Sequence, residues 1–338
     1  MKHTRRVLLA SAALTLAMTA TTTLRAAEPM DVVASFSILG DMVSTVGGER
    51  VRVETLVGPG EDAHVFDPAP ADARLLADAD LVVLNGLGFE GWIDRLVEAS
   101  GYDGAIVVAS AGIDPLPSEP EDHHGEGEAH DEHADDDAHA DHDDHEEHAG
   151  EEGHEEDDHH HGAFDPHAWQ DLANGAVYVR NIAAALSLAD PEGAAIYEAN
   201  AQAYLGEIEA LDRMVREAMD ALPADARTIV TSHDAFGYFG HAYGIVFLAP
   251  EGMNTADEPS AAEIAALIDQ IEREHIAGLF VENISDNRVL ERIAEDTGVV
   301  IGGTLYSDSL SGPEGPAATY LAMMRNNTSQ LSSALQAF

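Results

Sequence analysis

Four side chains of metal-binding type stand at isolated positions in this sequence. They are His64 and Asp308, which each follow a predicted β-strand, His233, which ends another, and His167, which begins a predicted helix. Open parallel sheets bind ligands in the crevice beyond the carboxyl ends of their strands. Three imidazoles and one carboxylate suit Zn²⁺ without any Cys, and they also suit Mn²⁺ if the carboxylate binds through both oxygens. The sequence therefore predicts one divalent-metal site.

Each of these residues also has a simpler explanation when it is considered alone. His64 could be a turn residue beside Asp67-Pro68, and His167 could cap its helix. His233 could be a hydrogen-bonded core residue. Asp308 could cap a helix that begins near Ser309. The shared placement of all four favours the metal site over these separate alternatives.

A second set of candidate ligands lies in one segment of unusual composition. Residues 121–161 carry twelve of the eighteen histidines, interleaved with Asp and Glu, and contain no Lys or Arg. Because this segment has too little apolar surface to form a core, we expect a disordered loop over residues 120–163. Its composition predicts auxiliary, low-affinity metal sites, and the alternative is a solvated acidic linker. The candidate auxiliary ligands are His123, His124, His130, His133, His139, His142, His145, His148, His154, His159, His160 and His161.

The first 27 residues have the pattern of an export signal. A basic head precedes an apolar stretch, residues 7–20, that is too short to cross a bilayer comfortably. We expect cleavage near Ala26 or Ala27, by the general or the twin-arginine route. The sequence has no Cys, which excludes a lipid on an N-terminal Cys. Together these features predict a soluble protein of the periplasm.

The overall charge narrows the range of partners. The formal net charge is −47, and the sequence has a single Lys, at position 2. Such a charge argues against nucleic acid and against anionic lipid surfaces as partners. It fits either a salt-rich habitat or the attraction of cations, and the sequence does not separate these two explanations.

Short apolar runs alternate with helical patterns along the rest of the chain, which predicts parallel sheets covered on both faces. A helix of about thirty residues is predicted over 191–222, with Asp190 as N-cap and Pro191 at its first position. The predicted fold class is α/β, with two lobes, each a four-stranded parallel sheet flanked by helices, joined by one long rigid linker helix. The predicted units are a signal peptide (1–27), an N-terminal lobe (28–189), the linker (190–222) and a C-terminal lobe (223–338). The predicted strands are residues 31–37, 51–57, 81–85, 105–109, 228–232, 246–249, 278–282 and 299–305, and the predicted helices include 38–46, 70–77, 91–99, 168–188, 234–243, 260–275, 287–297 and 316–335.

Several motifs in this order resemble one known family. Residues 31–338 are similar to the zinc and manganese solute-binding proteins of ABC transporters, the ZnuA-like or cluster A-I family. The resemblance implies two lobes with four-stranded parallel sheets, a connecting helix and a metal held between the lobes by the four residues above. The motifs are Gly58-Pro59-Gly60 with His64 and Asp67-Pro68, Asn85-Gly86-Leu87-Gly88-Phe89-Glu90-Gly91-Trp92, Asp165-Pro166-His167-Ala168-Trp169, Ile229-Val230-Thr231-Ser232-His233-Asp234-Ala235-Phe236, Phe280-Val281-Glu282-Asn283, Asp308-Ser309-Leu310 and Tyr320-Leu321-Ala322-Met323-Met324.

The resemblance favours Zn²⁺ over Mn²⁺ as the bound ion. Manganese carriers of this family usually place Glu where this chain has His233, and the acidic, His-rich insertion is typical of zinc members. Some zinc members use water or a Glu before the first His as fourth ligand, whereas here that neighbour is Ala63. We therefore assign Asp308 as the fourth ligand. Glu61 and Asp62 are candidate supporting groups.

The predicted function is that of a binding protein and not of an enzyme, because four protein ligands leave no position for a catalytic water. The implied partners are a membrane permease with its cytoplasmic ATPase, together with a periplasmic metallochaperone, and the protein is expected to be a monomer. Trp92 and Trp169 are predicted to be packing residues, and Glu90 a surface residue that meets the permease. The alternatives are a manganese receptor of the same family, a periplasmic zinc buffer or chaperone, and a metallohydrolase with Asp308 as base.

Overall fold

The computed structural model describes residues 28–118, 163–256 and 259–336. The first sheet consists of β1 (Met30–Phe36), β2 (Val51–Val57), β3 (Leu81–Leu84) and β4 (Ala105–Val108). Its strands are all parallel and lie in the order β2-β1-β3-β4. The central strands are rich in Val and Leu, and β3 is buried along its whole length, as expected for a strand that is covered on both faces.

The second sheet repeats this arrangement. Strands β5 (Thr228–Val230), β6 (Val246–Leu248), β7 (Gly278–Glu282) and β8 (Ile301–Leu305) are parallel and lie in the order β6-β5-β7-β8. The register shifts once between β7 and β8. The predicted fold class of two four-stranded parallel sheets with flanking helices is confirmed. The export signal and the twelve histidines of the acidic segment lie outside the described residues.

Helices cover both sheets. They are α1 (Ser37–Gly47), α2 (Pro70–Ala77), α3 (Ile93–Ser100), α4 (Leu172–Ala189), α5 (Ala194–Asp220), α6 (Gly237–Tyr243), α7 (Ala261–Glu274), α8 (Arg288–Thr297) and α9 (Tyr320–Leu335), together with three short 3₁₀ helices. The single helix predicted over 168–188 is divided in two. A 3₁₀ helix (Ala168–Gln170) precedes α4, and the Asp171 side chain between them accepts a hydrogen bond from the Ala173 amide.

The long helix α5 begins later than predicted. Residues 191–193 form a turn, and the Asp190 carboxylate accepts hydrogen bonds from the Gly193 amide, Arg50 and Tyr197 instead of capping the helix directly. Helix α5 packs against α1 and α4 on the first sheet and against α6 and α9 on the second. The division of the chain into lobes at residues 190 and 222 stays a prediction.

One hydrophobic core extends across both halves of the molecule. It includes β1 and α1 on the first sheet, the buried face of α5, and α9 on the second sheet. A smaller cluster packs α7 and α8 against the second sheet. No helix among the described residues is long and apolar enough to cross a membrane.

Candidate metal centre

The structure brings together the four side chains that the sequence singled out. The Nε2 atom of His64 lies 3.3 Å from His167 Nε2 and 3.1 Å from Asp308 Oδ2. His233 Nε2 lies 3.1 Å from the same oxygen. One ligand atom from each of the four lies within 4.8 Å of the others. Ligand atoms on a tetrahedral zinc are about 3.3 Å apart, because Zn–N bonds are about 2.0–2.1 Å long. The three short distances match this spacing, and atoms as far apart as 4.8 Å must move closer for one ion to bind all four.

The chain delivers these side chains from the predicted places. His64 lies in the loop after β2, His233 just beyond β5, Asp308 beyond β8, and His167 directly before the 3₁₀ helix. The alternative role of Asp308 as a helix cap is wrong. The helix that follows begins at Tyr320, and its cap is Thr319, whose hydroxyl accepts a hydrogen bond from the Ala322 amide.

Two buried carboxylates fix the orientation of two imidazoles. His167 Nδ1 lies 2.8 Å from Asp165 Oδ1, and His233 Nδ1 lies 2.7 Å from Glu282 Oε2. A carboxylate only accepts hydrogen bonds, so His167 Nδ1 carries the proton and its Nε2 turns a lone pair toward the centre. The contact between Glu282 and His233 Nδ1 is a short ion pair, and it favours the same arrangement at His233. The same carboxylates also accept hydrogen bonds from the backbone amides of their histidines, at 2.9 and 2.8 Å.

The electrostatics of the centre show that it attracts positive charge. Burial alone would lower the pKa of His233, but the charges of Glu282 and Asp308 outweigh it and raise that pKa well above its usual value. The pKa of His167 is raised against burial by Asp308 and Asp165. Burial would raise the pKa of Asp308, yet His167 and His233 hold it well below its usual range.

The donor set fits a divalent cation. Asp308 Oδ1 is buried and has no hydrogen-bond donor within the described residues, and it lies 3.7 Å from His167 Nε2. Lone pairs of imidazole nitrogens and carboxylate oxygens therefore converge on one point. Such an arrangement is costly in a buried site unless protons or a cation lie between these atoms.

Tryptophan side chains hold two of the ligand-bearing loops. The indole Nε1 of Trp92 donates a 2.9 Å hydrogen bond to the carbonyl of Ala63, next to His64. Trp169 Nε1 donates to the carbonyl of Ser307, next to Asp308, at 2.9 Å. Both residues are buried, as predicted, but packing describes only part of what they do. No signal in the sequence indicates these hydrogen bonds, which join residues far apart in the chain.

Two asparagines play a similar part in the two halves. Asn85 Nδ2 donates to the carbonyl of Pro166, beside His167, and Asn283 Nδ2 donates to the carbonyl of Ser309, beside Asp308. Each asparagine follows the third strand of its sheet. Both lie in motifs on which the family resemblance rests, and that was the one sequence signal that could have identified them.

Hydrogen bonds between the two halves close the site. The backbone amide of Gly60, which adopts a positive φ of 78°, donates to Ser309 Oγ at 2.7 Å. The Leu310 amide donates to Ser37 Oγ at 3.0 Å. Thr255 Oγ1 donates to Asp62 Oδ2 at 2.6 Å. The loops of the first and second sheets are therefore bonded directly to each other around the four side chains.

Of the two candidate supporting groups, Asp62 is the one that contacts a site residue. Its Oδ1 accepts a hydrogen bond from the His64 amide at 2.8 Å. The Glu61 carboxylate instead accepts from the Gly58 amide and stabilises the turn.

The expectation that Glu90 lies at the surface is wrong. Its side chain is buried and accepts hydrogen bonds from Ser35 Oγ and the Asn85 amide, both at 2.6 Å, and from the Gly86 amide at 3.2 Å. Burial raises the pKa of this carboxyl group. Glu90 therefore closes the turn after β3 and is not available to a partner.

Two similar α/β halves that enclose a buried centre of three histidines and one aspartate define a two-lobed metal-binding protein. A family model described as "Zinc-uptake complex component A periplasmic" matches residues 32–334, and the chain belongs to this family.

Individual relatives agree with this assignment. The chain is 33% identical to the manganese-binding lipoprotein MntA of Halalkalibacterium halodurans over 91% of its length and 89% of that protein. It is 32% identical to the iron-binding protein YfeA of Yersinia pestis, over 88% of this chain and 84% of that one. Among solved structures, the periplasmic zinc-binding protein TroA of Treponema pallidum superposes with a TM-score of 0.74 at 26% identity, covering 91% of this chain and 99% of that chain.

These findings define the general function. The chain is an exported metal-binding receptor of an ABC transporter and not an enzyme. The relatives are named for manganese, iron or zinc, so membership of the family leaves the choice of ion open.

Proposed function

We propose that this protein is a periplasmic receptor that captures Zn²⁺ through His64, His167, His233 and Asp308 and delivers it to the membrane permease of an ABC transporter. The observation that carries the proposal is the convergence of three imidazole nitrogens and one carboxylate oxygen within 4.8 Å of one another. Three nitrogen donors and one oxygen are a ligand set that suits zinc. Manganese prefers more oxygen ligands and a higher coordination number.

The surroundings of the centre support binding without catalysis. His167, His233 and Asp308 are buried, and the side chain of His64 is only 5% exposed. Four protein ligands in a closed site leave no position for an activated water. The metallohydrolase alternative would require Asp308 to stand away from the ion, whereas its Oδ2 lies 3.1 Å from both His64 and His233.

One observation favours the manganese alternative. The second oxygen of Asp308 is buried and has no donor within the described residues. It could therefore bind the ion together with Oδ2 and raise the coordination number, which suits Mn²⁺. The choice between these ions is a question of relative affinity in one site.

The deciding experiment compares the affinities of the purified protein for Zn²⁺ and Mn²⁺ by competition with a chelator. We expect one tight zinc site, weaker manganese binding, and loss of the tight site in His233→Ala. His241→Ala is a matched control, because His241 is an exposed histidine on α6 and lies outside the centre. Tighter binding of Mn²⁺ than Zn²⁺, or tight zinc binding by His233→Ala, would refute the proposal.

We also propose that the His-rich segment holds further ions loosely and raises the local concentration of metal near the centre. This rests on the sequence alone, because the segment lies outside the described residues. Deletion of residues 122–160 should remove the weak sites and leave the tight site unchanged in calorimetric titrations with zinc. Loss of the tight site on deletion would show that the segment belongs to it.

A further inference from the structure

A cavity of about 620 Å³ lies beside the loop that carries His64. Its lining includes Asp67, Pro68 and Ala69, which follow His64 in the chain. Other lining residues belong to α2 and α3. This volume lies in the range of pockets that take small molecules or inserted side chains. Nothing in the metal centre uses this space.

Two arginines line this cavity. Arg74 projects from α2 and Arg95 from α3, and both are exposed. Within the described residues neither makes a hydrogen bond or an ion pair. Most of the other described arginines are paired, as in Arg50 with Asp190 and Arg216 with Asp212. Among the described residues these two guanidinium groups therefore have no acidic partner, although the chain has a net charge of −47, and they line the same cavity.

Trp92 connects the cavity to the loop that carries His64. Trp92 lines it and also donates the 2.9 Å hydrogen bond to the carbonyl of Ala63. The Trp92 ring packs against Phe66 with 4.9 Å between ring centroids. Ala63 and Phe66 flank the segment that carries His64. A group that enters the cavity therefore contacts the same tryptophan that holds the His64 loop in place.

We propose that this cavity receives acidic side chains of the membrane permease, and that docking there acts on the His64 loop through Trp92. The proposal rests on the proposed function, because it assumes that a permease takes metal from this protein. Arginine forms paired hydrogen bonds with carboxylates. An acidic partner is repelled by most of this protein, so an isolated basic pair selects the docking position.

The position of the cavity beside the His64 loop indicates that a permease is the partner that binds there. A receptor must lose its ion when it docks, and the cavity adjoins the least buried of the four candidate ligands, His64. A partner that displaced Trp92 would remove the hydrogen bond to Ala63 and free the loop to move. Binding of a free anion in the periplasm would not be coupled to delivery of the metal ion to the permease.

The test measures uptake of radioactive zinc and of radioactive manganese by the native host lacking this protein and complemented with variants. The double variant Arg74→Glu/Arg95→Glu should lower uptake about tenfold or more, because like charges at a docking site oppose association. Its metal affinity should stay within about twofold of wild type, because both positions lie outside the centre. The milder variant Arg74→Ala/Arg95→Ala should give an intermediate loss. The matched control is Arg180→Glu/Arg325→Glu, which reverses two other exposed arginines that make no hydrogen bond within the described chain, and it should transport normally.

Each outcome distinguishes the two proposals. Normal uptake by Arg74→Glu/Arg95→Glu, or an equal loss in the Arg180 and Arg325 control, overturns the docking site while the receptor function stands. Reduced uptake with an equal loss of metal affinity in purified protein also overturns it, because the arginines would then act on folding. Failure of the wild-type protein to restore uptake of either metal refutes the receptor function itself.

A second arm tests a small anion as the occupant. Succinate is titrated into the purified protein at constant ionic strength, and tryptophan fluorescence is followed. If succinate binds saturably to wild type and not to Arg74→Glu/Arg95→Glu, while that variant still transports normally, the cavity is a site for a dicarboxylate and the permease proposal is overturned.

Discussion

The two sheets have the same strand order but contribute their metal-binding side chains from different strands. The edge strands β4 and β8 occupy equivalent positions, and the segments after them lead to His167 and Asp308. The other pair is not equivalent. His64 follows β2, whereas His233 follows β5, whose counterpart in the first sheet is β1. The repeated fold therefore gives each sheet a similar edge at the carboxyl ends of its strands. The residues found at each edge decide which side chains form the metal centre.

A buried glutamate near the third strand of each sheet shows the same divergence. Glu282, at the end of β7, contacts the ring and the amide of His233. Glu90, after β3, contacts Ser35 near the end of β1. One carboxylate thus orients a metal-binding imidazole, while the other satisfies a hydroxyl and a turn. We infer that these two glutamates are equally buried but have different functions. The substitutions below test the difference between them.

The largest effect is expected when a histidine is removed. His233→Ala should weaken zinc binding more than about 100-fold, beyond the loss expected for an orienting group, and should also destabilise the metal-free protein because Glu282 loses its partner. His64→Ala should weaken zinc binding strongly with little loss of stability, because the structure describes no carboxylate on its Nδ1. Chelator competition and thermal unfolding without metal measure the two effects. Equal unfolding temperatures for both variants would contradict this comparison.

The second effect separates the two glutamates directly. Glu282→Gln should lower zinc affinity about 10- to 100-fold, the usual result of losing a carboxylate behind a metal-bound histidine. Glu90→Gln should change affinity less than about threefold and cost about 1 kcal/mol of stability, because the amide nitrogen that replaces Oε2 cannot accept the hydrogen bond from the Gly86 amide. Calorimetric titration with zinc measures the affinity, and unfolding by denaturant measures the stability. A comparable loss of affinity in both variants would show that Glu90 also acts on the metal.

The third effect is the dependence of affinity on pH. Metal binds neutral imidazole, and the pKa values of His167 and His233 are raised in the metal-free site. Protons therefore begin to compete above the ordinary histidine pKa of about 6.5. Affinity should fall as pH falls, by about tenfold per pH unit for each proton displaced. Glu282→Gln should flatten this dependence and Glu90→Gln should not, which chelator competition at several pH values would show. An unchanged slope in Glu282→Gln would contradict the assignment of Glu282.

The smallest effect concerns the tryptophans. Trp92→Phe removes the indole donor to Ala63 and should speed zinc release several-fold, on the order of 1 kcal/mol. Trp169→Phe should have less effect on release, because Gln170 Nε2 also donates to the Ser307 carbonyl, at 2.7 Å. Stopped-flow release into excess chelator compares the two rates. Faster release from Trp169→Phe than from Trp92→Phe would show that the Ser307 hydrogen bond restrains the ion more than the Ala63 hydrogen bond does.

The sequence predicted the fold class, and it singled out four side chains that the structure brings together, because both depend on local pattern. Apolar runs of strand length and the positions of His64, His233 and Asp308 beyond them are properties of adjacent residues. The rule that parallel sheets bind at the carboxyl ends of their strands then places these side chains together. The position of His167 could not be predicted by this rule, because it follows a long segment and no strand directly precedes it.

The supporting hydrogen bonds could not be predicted because they join distant parts of the chain. Trp92 and Ala63 are close only after folding, and Trp169 reaches Ser307 across the two halves. The surface placement of Glu90 failed for a related reason. A charged residue in a glycine-rich turn normally faces water, and nothing near it in the sequence shows that Ser35 and two backbone amides enclose it.

The helix α5 sets a limit on how the ion can leave. Its buried face packs against helices from both halves, α1 and α4 on one side and α6 and α9 on the other. Burial of a large apolar side chain stabilises a fold by about 1.5–3 kcal/mol, so exposing several of them costs about as much as nanomolar binding of a ligand supplies, roughly 12 kcal/mol. A wide swing of one half away from the other is therefore too costly to repeat in every cycle. We infer that release of the ion requires only a few residues around the metal centre to move, while the body of the protein stays assembled.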